Sequence, residues 1–464
     1  MDSILQSIST GLGVSEPALR LLVSTLLGYP LAFVYRTQIQ QKSEVLKNVF
    51  IAVSGIVLCY FNYGIDIRHS LAAVLFTYLN IKFLSGTSHS VILQFIVHMG
   101  HLLIGYYYTA SDSYDIKWTM PHCVLVLRHI GLMTDIYDGK TDIEKLAPRY
   151  RQSALKEPPS LLELLGYTYF PSSFLVGPQF PMMRYKKFIS GTFEDKDGYY
   201  QYSLKRFSLG CLYLILNQIG SAWLSDDYLF SKDYANANLF KRIVYLGLWG
   251  KFTLYKYISI WLLTEGACIG FGLTYNEAKK DWSGCQNINP YLFENARCFG
   301  DYIESFNENT NMWVANYVFT RLKFLGNKYL SQISSLLFLA IWHGFHSGYY
   351  MCFYMEFAVI FFEKEFTSMI AKSPTVTNIL KSPVMTPVIF VVLKFYTVCN
   401  MGYCITPFVF LSYTKWWTLY SIVRFYGFII FFPWVFLYKP VLHAILKSVD
   451  GSQRGSAVKE AKTE

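Results

Sequence analysis

The sequence predicts an all-α, polytopic membrane protein, and three observations carry the prediction. Of 464 residues, 53% are hydrophobic and only 16% charged, whereas soluble domains carry about 25% charged residues. Apolar runs of membrane-spanning length recur along most of the chain, where a soluble protein of this length would form two or three polar-surfaced domains. Aromatic residues are abundant, with 37 Tyr, 37 Phe and 10 Trp, as expected of rings placed at lipid–water boundaries.

The polar stretch 1–17 carries Asp2 and Glu16 and lacks the basic segment of a cleavable signal, so the first helix is expected to act as an uncleaved one. That helix is the run 19–35, with Pro30 as its expected kink. A basic loop with Arg36, Lys42 and Lys47 leads to runs at about 49–63, 71–84 and 91–108. His98 and His101 stand three apart and share a face. They make either a polar contact between packed helices or the lining of a wet cavity. The run 121–133, with Arg128 and His129, is short for a span and reads as partly buried, re-entrant or interfacial. A charged loop ends in the breaker Glu157-Pro158-Pro159.

Two Pro and two Gly interrupt the stretch 160–180. It reads as a surface helix that then dips inward, because irregular backbone at membrane depth survives only under protein or water. A basic, polar hinge is expected over 182–206. Spanning runs resume at 207–224, 239–254 and 257–273, with Lys251 and Lys256 at the junction of the last two, placed to snorkel. The loop 275–310 is the longest polar one and rich in Asn and aromatics, so it is expected to be ordered and functional. Runs at 311–325, 329–347, 349–362, 385–411 and 416–438 complete about eleven spanning or half-spanning segments. These form one membrane domain, 1–446, around a central chamber, and 447–464 reads as a disordered polar tail. No inverted repeat of the transporter type is present.

The net charge is +10. Lys and Arg occupy short loops, which fits positive-inside topology and would also attract anionic headgroups or a phosphorylated cosubstrate. No basic face points to nucleic acid. Nine scattered cysteines without a CxxC pair give no zinc site or disulfide framework. Cys285 and Cys298 share a polar loop and would pair only if that loop were lumenal.

The chemistry concentrates between Ser305 and Tyr350. His343 lies in the apolar run Leu336–Ile341-Trp342-His343-Gly344. Neutral imidazole is the least costly strong base to bury, and it can take a proton from an alcohol that attacks a carbonyl. His346 follows three residues later and is expected on the same face, as a supporting partner; one such pair is too few for a metal centre. Asn307, Asn309 and Asn311 alternate in an amide-rich turn. Asparagine either caps a helix or donates to an oxyanion; Asn309 or Asn311 is assigned to capping and Asn307 to the site. A nucleophile elbow, a P-loop and a dinucleotide fingerprint are absent.

Two elements carry a family resemblance: Phe306-Asn307-x-Asn309-Thr310-Asn311-x-Trp313, and Trp342-His343-Gly344 with Gly348-Tyr349-Tyr350. With 127–139 and 161–178, they make the chain resemble the membrane-bound O-acyltransferases (MBOAT) over roughly 18–440, and most closely their endoplasmic-reticulum lysophosphatidylcholine acyltransferase branch. The resemblance implies a multi-pass fold with acyl-CoA arriving from the cytosol and lysophospholipid from the bilayer. His343 matches the catalytic histidine and Asn307 its paired asparagine. Trp342, Gly344, His346, Asn309 and Tyr349 fall on the substrate side. Direct transfer from acyl-CoA as cosubstrate needs no metal and no prosthetic group. The resemblance also implies an endoplasmic-reticulum membrane location and leaves a homodimer open. Two departures stand out. The order Asp281-Trp282 reverses the Trp-Asp of many relatives, and the C-terminal Lys459–Glu464 lacks paired retrieval lysines.

Three readings compete. The first is an acyl-CoA:lysophospholipid O-acyltransferase that prefers polyunsaturated acyl chains. The second is a sterol- or peptide-acylating member of the same superfamily; the short 1–17 segment speaks against the sterol type. The third is a non-enzymatic lipid transporter or scramblase.

Overall fold

Hydroxyl and amide side chains start several helices of this chain. Ser43 accepts from Leu46 N–H to open the helix Glu44–Tyr63, and Thr87 accepts from Ser90 N–H to open Ser88–Thr109. Ser160 and Glu163 form a reciprocal capping box at Leu161–Thr168. Each satisfies backbone donors that the first turn leaves orphaned. The structure, a computed structural model, describes residues 2–111 and 116–460. Among these residues the regular elements are helical, joined by two isolated β-bridges, Asn276–Asp281 and Ile288–Phe306. Among the described residues, five stretches are long and apolar enough to cross a membrane: Glu16–Ile39, Glu44–Leu84, Ser88–Thr109, Met385–Phe410 and Tyr426–Asp450.

The described chain gathers into two compact units. The first comprises Met1–Asn217, Tyr255–Ile288 and Phe306–Phe345; the second comprises Gln218–Leu254, Asn289–Ser305 and His346–Glu464.

At the heart of the first unit lies the helix Thr119–Gly139. The sequence reads its apolar part, 121–133, as a short segment, partly buried, re-entrant or interfacial; the helix is longer, 21 continuous residues, and is buried on most faces. Asp135 and Asp138, which look like a polar stop, lie within it because distant residues partner them. Tyr317 OH donates to Asp135 at 2.8 Å, and Arg321 forks onto Asp138. From the same helix Arg128, 2% exposed, organises the irregular stretch that follows Thr168. Its Nη1 donates to the carbonyls of Tyr167 and Thr168, and its Nη2 to Ser173 Oγ and Pro178 O. That supplies the cover expected for irregular backbone at membrane depth. A Cβ on Gly55 would lie 1.6 Å from Tyr169 O, so only glycine lets the helix Glu44–Tyr63 come this close.

Five histidines that are scattered in sequence meet here. Thr77 Oγ1 bridges His98 Nε2 and His129 Nδ1, each at 2.9 Å. His69 Nδ1 lies 3.1 Å from His101 Nε2, and the His101 and His122 rings are 4.6 Å apart. Of the two readings for His98, the contact between packed helices is the one observed.

In the second unit, Ser347–Ala371 packs along Met385–Phe410. Gly348 N–H donates to Leu411 O, and a Cβ on Gly348 would meet Pro407 O at 2.0 Å. Both oxygens of Glu363 accept from Phe299 N–H at 3.0 Å. Tyr403 stacks on Tyr420 with centroids 3.9 Å apart.

Several expected spans take another form. The runs 239–254 and 257–273 are one 33-residue helix, Leu239–Phe271, and Lys251 pairs with Glu294 instead of snorkelling. The hinge 182–206 contains the helix Met182–Ile189 and the start of Tyr199–Trp223. The run 311–325 breaks into Glu308–Val314, a π-turn Ala315–Phe319 and a 3₁₀ turn Thr320–Leu325, with Thr320 Oγ1 on Ala315 O and Arg321 Nε on Asn316 O. The run 416–438 is interrupted where Arg424 and Phe425 adopt positive φ. The loop 275–310 holds the helices Pro290–Asn295 and Phe299–Ser305, so it is ordered as expected. The expected tail is helical as far as Glu460, and residues 461–464 lie outside the described ones. Cys285 and Cys298 are both free thiols.

Candidate active site

The helix Lys328–His343 delivers the candidate base. Asn327 opens it by accepting from Tyr329 and Leu330 N–H. Gly344 ends it at φ 128°, ψ −162°, a conformation open essentially to glycine alone. His343 is therefore the last helical residue, and it is half-buried. Helix ends leave carbonyls without intrahelical donors. Tyr106 OH supplies one, donating to Trp342 O at 3.1 Å. The Trp342 indole lies edge-on to the His343 ring, centroids 4.6 Å apart, and its Nε1 donates to Cys123 O at 3.0 Å.

Asn307 opens the next component. It occupies the N-cap position of Glu308–Val314 in the left-handed region, φ 53°, ψ 43°, and its side chain makes no capping bond. Asparagine is the non-glycine residue that best tolerates this geometry. Its neighbours hold the turn. Asn309 Nδ2 donates to Cys285 O at 3.1 Å and Gln286 O at 2.9 Å, and Asn311 Nδ2 to Phe306 O at 3.0 Å. The capping role expected of Asn309 or Asn311 is thus corrected: both brace the turn from its flanks.

A shared mount links the two parts. Trp313, six residues after Asn307, donates its Nε1 to Leu127 O at 2.9 Å. Trp342 binds Cys123 O on the same helix, one turn away. Trp313 also stacks on Phe338 of the histidine helix, centroids 5.7 Å apart and 22° between planes. The Thr119–Gly139 helix is therefore the strut for both candidate residues. Sequence reading missed this role. The available signal was the 3–4 residue spacing that carries helix past Arg128 to Thr134, Asp135 and Asp138.

The remaining expected site residues fall elsewhere. His346 and His343 do not share a helix face, because Gly344 breaks the helix between them. His346 stands at the N-cap of Ser347–Ala371, its ring 6.2 Å from Tyr349. Tyr349 is buried against Phe408 in the second unit. Among the described residues, no group of three His, Cys, Asp or Glu is arranged to hold a metal ion. A cavity of about 20 Å³ lies beside Ser70, His122, Arg128 and Tyr169. It has room for one water-sized group and none for a lipid.

A family model, the membrane-bound O-acyltransferase family, matches residues 103–406. This chain belongs to the membrane-bound O-acyltransferase family. It is an acyltransferase and an integral, multi-pass membrane protein. Similar curated proteins include lysophospholipid acyltransferase 5 of Drosophila melanogaster, 46% identical over 451 residues, covering 95% of this chain and 91% of that one. The Homo sapiens protein of the same name is 43% identical over 447 residues, covering 95% and 92%. The Caenorhabditis elegans one is 35% identical over 455 residues, covering 96% and 95%. The family match spans the strut helix, the Asn307 turn and the His343 helix end, so the mount described above lies inside the acyltransferase region.

Proposed function

We propose that this acyltransferase moves a fatty acyl group, preferentially polyunsaturated, from acyl-CoA to the sn-2 hydroxyl of lysophosphatidylcholine and related lysophospholipids. The setting would be the endoplasmic-reticulum membrane. The observation that carries the reading is the mounting of His343 and Asn307 on one strut helix, the imidazole at a helix end and the carboxamide released from capping. The names of the similar proteins support the acceptor class.

In this account His343 takes the proton of the lysolipid hydroxyl as that oxygen attacks the thioester carbonyl. Asn307 donates to the oxyanion of the tetrahedral intermediate. Collapse breaks the carbon–sulfur bond, and CoA leaves as the thiol with the proton returned by the imidazolium. Protons and bonds balance without a metal, a prosthetic group or a covalent acyl-enzyme.

The test is a product analysis with purified protein, arachidonoyl-CoA and an acceptor panel of lysophospholipids, a sterol and a serine peptide. The reading predicts diacyl phospholipid and free CoA in equal amounts. Acylation of the sterol or peptide alone would replace it.

A further inference from the structure

Glu265 stands in the middle of an apolar run and is 2% exposed. Ionisable groups at such positions are rare and require partners. Arg206 Nε lies 3.2 Å from Glu265 Oε2. The backbone N–H groups of Asn287 and Ile288 donate to Oε1 at 2.6 and 3.1 Å.

Asn287 and Ile288 are also the residues that hold the Asn307 turn. Asn287 O accepts from Glu308 N–H at 3.0 Å, and its Oδ1 accepts from Asn309 N–H at 3.1 Å. Ile288 bridges to Phe306. Glu308 by a hydrogen bond and Phe306 by a β-bridge, the residues on either side of Asn307, are therefore each linked through one intermediate residue to a single carboxylate. A second path runs beside it. Arg206 donates from Nη1 to Ile288 O and from Nη2 to Gln286 Oε1, and Gln286 Nε2 donates to Glu308 Oε1 at 3.0 Å.

A left-handed asparagine costs about 1 kcal/mol or more and persists only where its surroundings over-determine it. Charge-assisted bonds to two successive backbone donors are strong enough to do that. We propose that Glu265 is a positioning residue for acyl transfer: through Asn287 and Ile288 it fixes the turn that aims the Asn307 carboxamide. The inference rests on the reading of Asn307 as the oxyanion donor. It assigns Glu265 an effect on turnover, with lysolipid and acyl-CoA binding left largely intact.

A double-mutant cycle tests it on the full-length protein in detergent. Initial rates would be measured for wild type, Glu265→Gln, Asn307→Ala and the double variant, with KM and kcat separated and folding followed by thermal unfolding. Glu265→Gln is expected to lose about tenfold in kcat at near-constant KM, the scale of a small misplacement. The double variant should be no slower than Asn307→Ala alone, because the effect passes through Asn307. Wild-type kcat in Glu265→Gln, or losses that multiply independently in the double variant, would overturn the proposal. If Glu265→Gln does not fold, Asn287→Ala removes the next acceptor in the chain and is read in the same cycle. An inactive wild type sinks the reading of the site itself, and this inference with it; an active wild type with an unaffected variant sinks only this inference.

Discussion

Trp342 and Trp313 donate their indole N–H groups to Cys123 O and Leu127 O, at 3.0 and 2.9 Å, carbonyls one turn apart on a single helix. One indole adjoins His343 and the other belongs to the helix that begins after Asn307. Base and amide are thus tied to one helix through their tryptophan neighbours. Trp342→Phe keeps an aromatic ring but removes the donor and part of the indole's buried volume. It should cost about 1–3 kcal/mol of stability and a disproportionate ~10-fold or more in kcat, because the imidazole loses its stop. Thermal unfolding beside steady-state kinetics separates the two.

Gly131 lies where the strut meets Trp313. A Cβ there would sit 3.0 Å from Trp313 Nε1 and 3.5 Å from the Tyr317 ring. Gly131→Val is expected to lower stability by about 1–3 kcal/mol through overpacking and to depress activity beyond that loss. Gly131→Ala, which asks only a few tenths of an ångström of the indole, should give an intermediate result in the same assays.

The backbone of Asn307 permits fold and chemistry to be separated. Asn307→Gly accepts positive φ without strain and removes the carboxamide. It should unfold at nearly the wild-type temperature yet lose about 10²–10³ in kcat, the usual worth of an oxyanion donor. Asn307→Ala should lose comparable activity and about 1 kcal/mol of stability as well. Equal melting temperatures for the two variants would contradict the left-handed assignment.

Arg128 binds the irregular stretch after Thr168 through carbonyl and hydroxyl acceptors on four residues. Arg128→Met would leave these buried acceptors without a donor, at about 1–3 kcal/mol each. The variant should fail to accumulate as folded protein, and Arg128→Lys, a point charge without the planar fork, should recover little. Size-exclusion profiles of the detergent-solubilised variants report this directly.

The membrane class was legible because it depends on local composition. A histidine in an apolar run and an amide-rich turn mark themselves by composition. The strut was not legible. Asp135 and Asp138 look like the end of a helix until Tyr317 and Arg321, more than 180 residues away, are brought to them. Spacing alone puts His343 and His346 on one face, whereas Gly344, at a φ of 128°, is a helix stop that parts them. Glu265 carried a signal, a lone carboxylate in an apolar run, but its partners Asn287 and Ile288 lie in a loop whose path only the fold fixes.

If His343 is the general base of acyl transfer, its removal must show in the rate of the chemical step. The direct measurement is the rate of arachidonoyl transfer from arachidonoyl-CoA to lysophosphatidylcholine by purified His343→Ala beside wild type, with equal melting temperatures as the control for folding. A loss of about 10²–10⁴-fold is expected. A variant that folds and transfers at the wild-type rate would contradict it.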